Sequence, residues 1–482
     1  MAKPDPVLDR PILWLSDRDV LTFRSLIEGG CLITGGLGSG KSSTSGRALA
    51  LGFLRAGLGG LVLTVKSDET QHWKEYAKIC GRERDLIIFN AESGLMFDPL
   101  AYCWNQLGRA GGLIESIIEL FLTLLGIGKQ QVKDSSEGRY FELAVEELMR
   151  SALVMQSATK KPPSILKLHQ IISSLPSEPA QLEDPDWQHK SECGQLICFI
   201  RDNKDSFTES QWKDIVTALS FVEMWSWLDP RTKGNILSTW SGMASKFTYS
   251  PLRELFCSGS YSFTPEQITH ERKIIILDIP VLEFSRAVAI LCQVMIKIVF
   301  QRAWLKHQYA SGCCNGAFLF QDEFSMLIHR LENHFHQVVR GSAIAPVCLT
   351  PNINNIAADE FGEHSPGSRT LGFLGNLSVK IFHSQTDIST CKYAADLIGS
   401  EYRYLDSFNA SSAEGARASV GGTQHLAHII EPIELTRLLK PDGENPCAEA
   451  IVHMAGRTFE ATKTAANPKG LNYLRVLFSR DI

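Results

Sequence analysis

The sequence predicts an α/β fold in which a mainly parallel central sheet is interrupted by an inserted all-α region, and three observations predict it. A glycine-rich run, GGLGSGKSS at 35–43, follows the apolar stretch CLIT at 31–34. Short apolar, β-branched runs then alternate with helical patterns, as they do in sheets whose strands are buried on both faces. Between about 106 and 250 the periodicity becomes that of helices, and from 273 the strands return.

The first element carries chemistry. The pattern G-x-x-x-x-G-K-[ST] is met by Gly35, Gly40, Lys41 and Ser42. Glycines let the backbone curl around a phosphate with its N–H groups pointing inward, which makes Gly35, Gly36, Gly38, Ser39, Gly40, Lys41, Ser42 and Ser43 the candidate nucleotide-binding residues. Lys41 is placed to reach the β- and γ-phosphates of ATP, and the Ser42 hydroxyl to ligate Mg²⁺. The segment SSTSGRALALGFLRAG reads as the helix whose positive N-terminal end faces the same anion.

The remaining elements follow in order. GLVLTVKSDE at 60–69 and LIIFN at 86–90 read as the second and third parallel strands. Within 106–250, apolar residues at Phe141, Ala144, Val145, Leu148 and Ala152 show helical spacing, and the proline-rich, acidic LPSEPAQLEDPDW at 175–187 reads as a surface loop. Strands resume with KIIILDIP at 273–280, AFLFQDEF at 317–324, APVCLTP at 345–351 and LSVKIFHS at 377–384. SFNASSAEGARASVGGTQH at 407–425 is expected to be a mobile loop because of its Ser, Gly and Ala content. The expected domains are therefore 1–105 with 251–482 for nucleotide, and 106–250 as the all-α insertion.

A phosphate loop of this kind works with an acid at the end of an apolar strand that serves the metal, and a hydrolase adds a base that orients water. Asp278 ends one strand but is followed by Ile279 and Pro280, so it reads as a strand-end residue. Asp322 and Glu323 end another and supply both carboxylates: Asp322 for Mg²⁺ with Ser42, Glu323 for the attacking water. Positive charge against the transition state is expected from Arg340 or Arg369.

Composition narrows the classes. With 44% hydrophobic and 21% charged residues the chain reads as globular, and a net charge of −5 leaves nucleic-acid contact to local basic patches. The 12 cysteines form no C-x-x-C pair, and only Cys313 and Cys314 are adjacent, which argues against a disulfide framework or a zinc ribbon. His329, His334 and His336 match no common metal-ligand spacing. No window of 18 apolar residues occurs, and the apolar helix at 111–128 carries Glu115 and Glu119, so no direct membrane span is expected.

The order of these elements resembles the type IV secretion coupling proteins, the TraG/TraD conjugation family of RecA-like P-loop ATPases within the FtsK/HerA superfamily. FDPL at 97–100 is similar to that family's motif after the third strand, FLFQDEFSML to its Walker B segment, and GFLGNLSVKIFHSQTDISTCKYAADLIG at 372–399 to its closing region, with Asp387, Thr390 and Gly399 in place. The resemblance implies a cytoplasmic ATPase, peripheral at the inner membrane, that forms a homo-hexamer and moves DNA or a relaxase–DNA complex toward a membrane-bound secretion component. It also implies that Arg369 is the arginine acting in trans. Two other functions fit it: a nucleotide-dependent adaptor that recruits protein through the helical region, and a soluble HerA/FtsK-like DNA pump.

Three departures accompany the resemblance. The family's aspartate and lysine-glycine-glutamate on the second strand are replaced by Val65, Lys66, Ser67, Asp68 and Glu69. The glutamine on the strand after Walker B is replaced by Thr350, Pro351 and Asn352. The family's N-terminal membrane anchor is not seen, which leaves either a soluble member that docks on a separate membrane protein or a relative that has left secretion altogether.

Overall fold

A computed structural model describes residues 5–106, 111–127, 136–307, 309, 315–359, 365–410, 418–465 and 467–481. The chain begins with a small antiparallel pair, β1 (Pro11–Trp14) and β2 (Val20–Thr22). The main sheet has nine strands: β3 (Cys31–Thr34), β4 (Gly59–Thr64), β5 (Leu86–Phe89), β6 (Ile274–Asp278), β7 (Ala317–Gln321), β8 (Ile344–Thr350), β9 (Val379–His383), β12 (Cys447–Met454) and β13 (Tyr473–Ser479). Their order across the sheet is β13-β12-β9-β3-β8-β7-β4-β6-β5. From β9 to β5 every pairing is parallel, whereas β12 runs antiparallel to both of its neighbours.

Side-chain alternation divides the core between the two faces of this sheet. Leu61, Leu63, Ile275, Leu277 and Leu319 face one cluster, while Val62, Ile274, Ile276, Phe318 and Phe320 face the other. The first cluster runs without a break into the helices that separate β5 from β6, taking in Phe121, Leu148, Ile171, Ile197, Trp225 and Trp240. Those helices include Gly111–Gly126, Ser136–Ser157, Ile165–Ser173, Glu192–Asp202, Glu209–Ser226 and Pro230–Ala244. Among the described residues, one helix, Arg286–Leu305, has the length and apolar character to cross a membrane, yet 83% of that stretch is buried inside the fold. It is the core helix that follows β6, its apolar side chains spread all round because protein surrounds it.

One expected loop is mostly strand. β10 (Ser400–Ala410) pairs antiparallel with β11 (Ala418–His428), from Ser400 opposite His428 to Ala410 opposite Ala418, as a two-stranded ribbon outside the main sheet. Only 411–417 of the expected loop lie outside the described residues. Small residues lower strand propensity but remove no backbone donor, so an unbroken ladder of paired N–H and C=O groups still forms.

Candidate nucleotide site

β3 lies in the interior of the sheet with parallel partners β8 and β9 on its two sides, so the loop leaving its carboxyl end emerges over the sheet's middle. The loop is held at its start, where Gly36 N–H donates to Ser384 O (2.9 Å) and Ser39 N–H to Gly36 O (3.1 Å). Glycine is required at two points. A Cβ on Gly35 would stand 2.2 Å from Ser39 Oγ and 2.8 Å from His383 Cβ; Gly40 has φ +91° and its Cβ would meet that of Ala448 at 2.8 Å.

The predicted helix begins as a wide turn over Ser42–Gly46, with Gly46 N–H reaching back five residues to Lys41 O (2.8 Å), before regular helix at Arg47–Arg55. Ser45 Oγ lies 2.7 Å from Nε2 of His383, whose ring burial keeps neutral with a pKa pushed down to about 3. Lys41 is buried, and among the described residues its ammonium has no hydrogen-bond or ion-pair partner. An ammonium that no acid of this chain pairs is free to meet an anion held by the surrounding N–H groups.

The two acids come to the same place. β8 alone separates β3 from β7, and Asp322, just past β7, accepts from Ser42 Oγ at 3.3 Å across 280 residues of sequence. Cis ligands of an octahedral Mg²⁺ at about 2.1 Å stand roughly 3 Å apart, so this spacing suits one shared ion. Glu323 sits in the left-handed region at φ +51°, a conformation that turns its side chain out of the strand path and starts the short helix Phe324–Leu327.

Two residues that counted as departures complete the cluster. β4 lies beside β7 with Leu63 opposite Gln321, and Asp322 N–H donates to Leu63 O (3.3 Å), so the chain leaving β4 faces both acids. Lys66 Nζ lies 2.8 Å from Asp322 Oδ2 and 3.0 Å from Glu323 Oε1. Burial alone would lower the Lys66 pKa, but the two carboxylates hold it well above the usual ammonium value.

Glu69 opens the helix Glu69–Ile79, which is anchored by Trp73 stacked on Phe318 (5.7 Å between centroids), and Glu69 is itself buried against Asp322. Burial and then the Asp322 charge raise its pKa from 4.5 to about 8, with Lys66 opposing. Since the folded value lies above the unfolded one, the bound proton stabilises the fold fully below pH 4.5, and that contribution is lost as the pH rises through about 8. The nucleotide-free protein is therefore expected to melt at progressively lower temperature across that interval. Glu69→Gln should flatten the dependence, and a series of melting curves on parent and variant checks it.

The other predicted residues separate. Arg369 is exposed in the first turn of the helix Ser368–Asn376, with no ion pair among the described residues. That helix ends just before β9 begins. Arg340 instead precedes β8 at the amino edge and lies 3.6 Å from Glu28, far from its own phosphate loop. Asp278 ends β6 and accepts from Asn90 Nδ2 at 3.1 Å, a strand-end role.

Of the histidine cluster, His334 is exposed while His329 and His336 both contact Glu332 (3.0 and 3.3 Å), which also pairs with the buried Lys297 at 2.6 Å. Burial pushes His329 down to about 3, and Lys297 supplies the positive charge for Glu332. No metal-ligand group of three occurs among the described residues.

Asn352 caps the next helix by accepting from Asn355 N–H (2.8 Å), Thr350 Oγ1 donates to Asn352 O (3.1 Å), and a glutamine reaches this turn from elsewhere: Gln385 Nε2 donates to Pro351 O at 2.7 Å, crossing the end of β3. Asp387 is a helix cap, accepting from Thr390 N–H (2.8 Å) and Thr390 Oγ1 (2.6 Å). Asp98 of FDPL caps the helix Pro99–Gln106 through Leu100 N–H (3.0 Å) and Ala101 N–H (3.1 Å).

Among solved structures, the bacterial conjugative coupling protein TrwBdeltaN70 in its unbound monoclinic form matches 95% of this chain over 85% of its own, with a TM-score of 0.61 at 13% identity. This chain has the fold of a conjugative coupling protein. The trigonal form of TrwBdeltaN70 in complex with sulphate matches 97% of this chain and 91% of its own, with a TM-score of 0.60 and 13% identity. Neither a protein-family model nor a curated protein sequence matches the chain.

Within the coupling-protein fold, the end of the chain also meets the phosphate loop. Arg480, following β13, donates from Nε to Ser43 Oγ at 3.3 Å and is fixed by its backbone N–H on Pro446 O (3.0 Å). No local pattern marks Arg480 in the sequence, because its proximity arises from the β12–β13 hairpin folding back.

Proposed function

We propose that this chain is an ATP-hydrolysing motor of the coupling-protein type, which moves DNA or a nucleoprotein toward a conjugative channel. The observation that carries the reading is the convergence at the middle of the sheet. A buried, unpaired Lys41 follows a glycine cradle, and Ser42 lies 3.3 Å from an aspartate that comes 280 residues later. The coupling-protein fold across 95% of the chain supports the cellular setting.

In this reading the loop N–H groups and Lys41 hold the β- and γ-phosphates. Ser42 and Asp322 would hold Mg²⁺, which when bound neutralises charge on the β- and γ-oxygens. Glu323 takes a proton from the attacking water and orients it in line with the γ-phosphate. Arg369, exposed and without an ion pair among the described residues, is the side chain best disposed to reach a neighbouring subunit's nucleotide. A ring built this way, a hexamer by the resemblance, makes each hydrolysis depend on the neighbour's position. Grip on DNA would then rest on local basic groups, because the net charge is −5.

The altered second strand does not by itself favour the adaptor reading. Lys66 and Glu69, which stand where the family motif is altered, still reach the acids of the site. The deciding experiment is the ATPase rate of the purified protein with and without single- and double-stranded DNA, alongside its mass in solution. Hydrolysis by an oligomer that rises severalfold with DNA and falls with salt is expected. A DNA-indifferent monomer that binds a relaxase or effector would replace the motor by the adaptor.

A further inference from the structure

Asp322 and Glu323, the two acids at the proposed metal position, are both paired by one lysine of this chain. Asp322 is only 2% exposed, and both of its oxygens are engaged: Oδ1 by Ser42 Oγ (3.3 Å) and Oδ2 by Lys66 Nζ (2.8 Å). The same ammonium lies 3.0 Å from Glu323 Oε1, and the Glu323 side chain is 15% exposed. The Lys66 side chain is 39% exposed, the most of the trio, and has a long stem to swing on. A divalent cation on Asp322 would stand a few ångströms from this ammonium, where like charges in a partly buried site repel strongly. The two cations cannot share Asp322 at low cost.

We infer that Lys66 is the resident counter-cation of the acid pair. It holds Asp322 and Glu323 in place when no metal is bound, and it gives up Asp322 to an arriving divalent ion while staying on Glu323. The inference rests on Asp322 being the metal carboxylate of the proposed function. Its consequence is that the site has little affinity for free divalent ions, and takes its metal with the nucleotide, whose phosphates supply the extra negative charge. After the exchange the ammonium remains beside the proposed base, so Lys66 is a positioning residue and not a catalytic one.

The test is a Mn²⁺ titration followed by electron paramagnetic resonance, on nucleotide-free protein and with ADP. Lys66→Met keeps the length of the side chain and removes its charge. It is expected to bind Mn²⁺ at least ~10-fold more tightly than the parent without nucleotide, to melt at a lower temperature, and to recover that loss when Mn²⁺ is added. Lys66→Arg, which keeps the charge, should stay near the parent.

If Lys66→Met does not fold, Lys66→Met combined with Glu69→Gln lightens the acidic load and should show the same gain over Glu69→Gln alone. Unchanged or weaker Mn²⁺ binding in the neutral variant, or an equal gain in Lys66→Arg, overturns the inference while leaving the nucleotide site intact. If instead Asp322→Asn leaves Mn²⁺ binding with ADP at the parent level, Asp322 is not the metal carboxylate, and the proposed site falls together with the inference.

Discussion

Lys41→Ala is expected to weaken ATP binding by two orders of magnitude or more and to leave no measurable hydrolysis. The lysine is the one buried cation in the cradle without an anion of its own, so its whole electrostatic value is available to the phosphates. Its removal should leave the melting temperature of the nucleotide-free protein near the parent's, because no hydrogen bond or ion pair within the described residues is lost. Fluorescent-nucleotide titration and calorimetry measure the two halves. A variant that binds ATP like the parent would mean that the triphosphate is held elsewhere.

Glu323→Gln is expected to keep nucleotide binding within a few-fold of the parent and to slow turnover by ~10²–10⁴, the range associated with loss of a positioned base. The amide preserves size and hydrogen bonding to Lys66 but cannot accept the proton of water. Single-turnover hydrolysis of pre-bound ATP separates this from a binding defect. Turnover at the parent rate would assign the base to another group, with Glu69 the nearest buried carboxyl to Asp322.

The legible parts of this molecule are those whose chemistry is written in consecutive residues. The glycine cradle, Lys41 and Ser42 form one local motif, and Asp322–Glu323 could be chosen over Asp278 because two acids in a row suit metal and water together. What was hidden depends on which strands become neighbours. Lys66 and Glu69 read as a damaged motif, yet they reach the acids because β4 lies against β7, a pairing that periodicity does not specify. The family's glutamine is absent at 350–352, and Gln385 reaches Pro351 from the loop after β9, on the far side of β3. Arg480 meets Ser43 only through the final hairpin. The ribbon of β10 and β11 is hidden for a different reason: its Ser, Gly and Ala content signals a loop, whereas backbone groups of any residue type but proline can pair.

The unbroken apolar seam between the sheet and the helices inserted after β5 limits how force can be generated. Side chains such as Trp240 and Ile275 belong to one close-packed body, and interiors of that density transmit displacement and do not absorb it. In the proposed ring motor, a nucleotide-driven stroke would therefore tilt the chain as a single lever, with its give located at whatever contacts it makes with its neighbours.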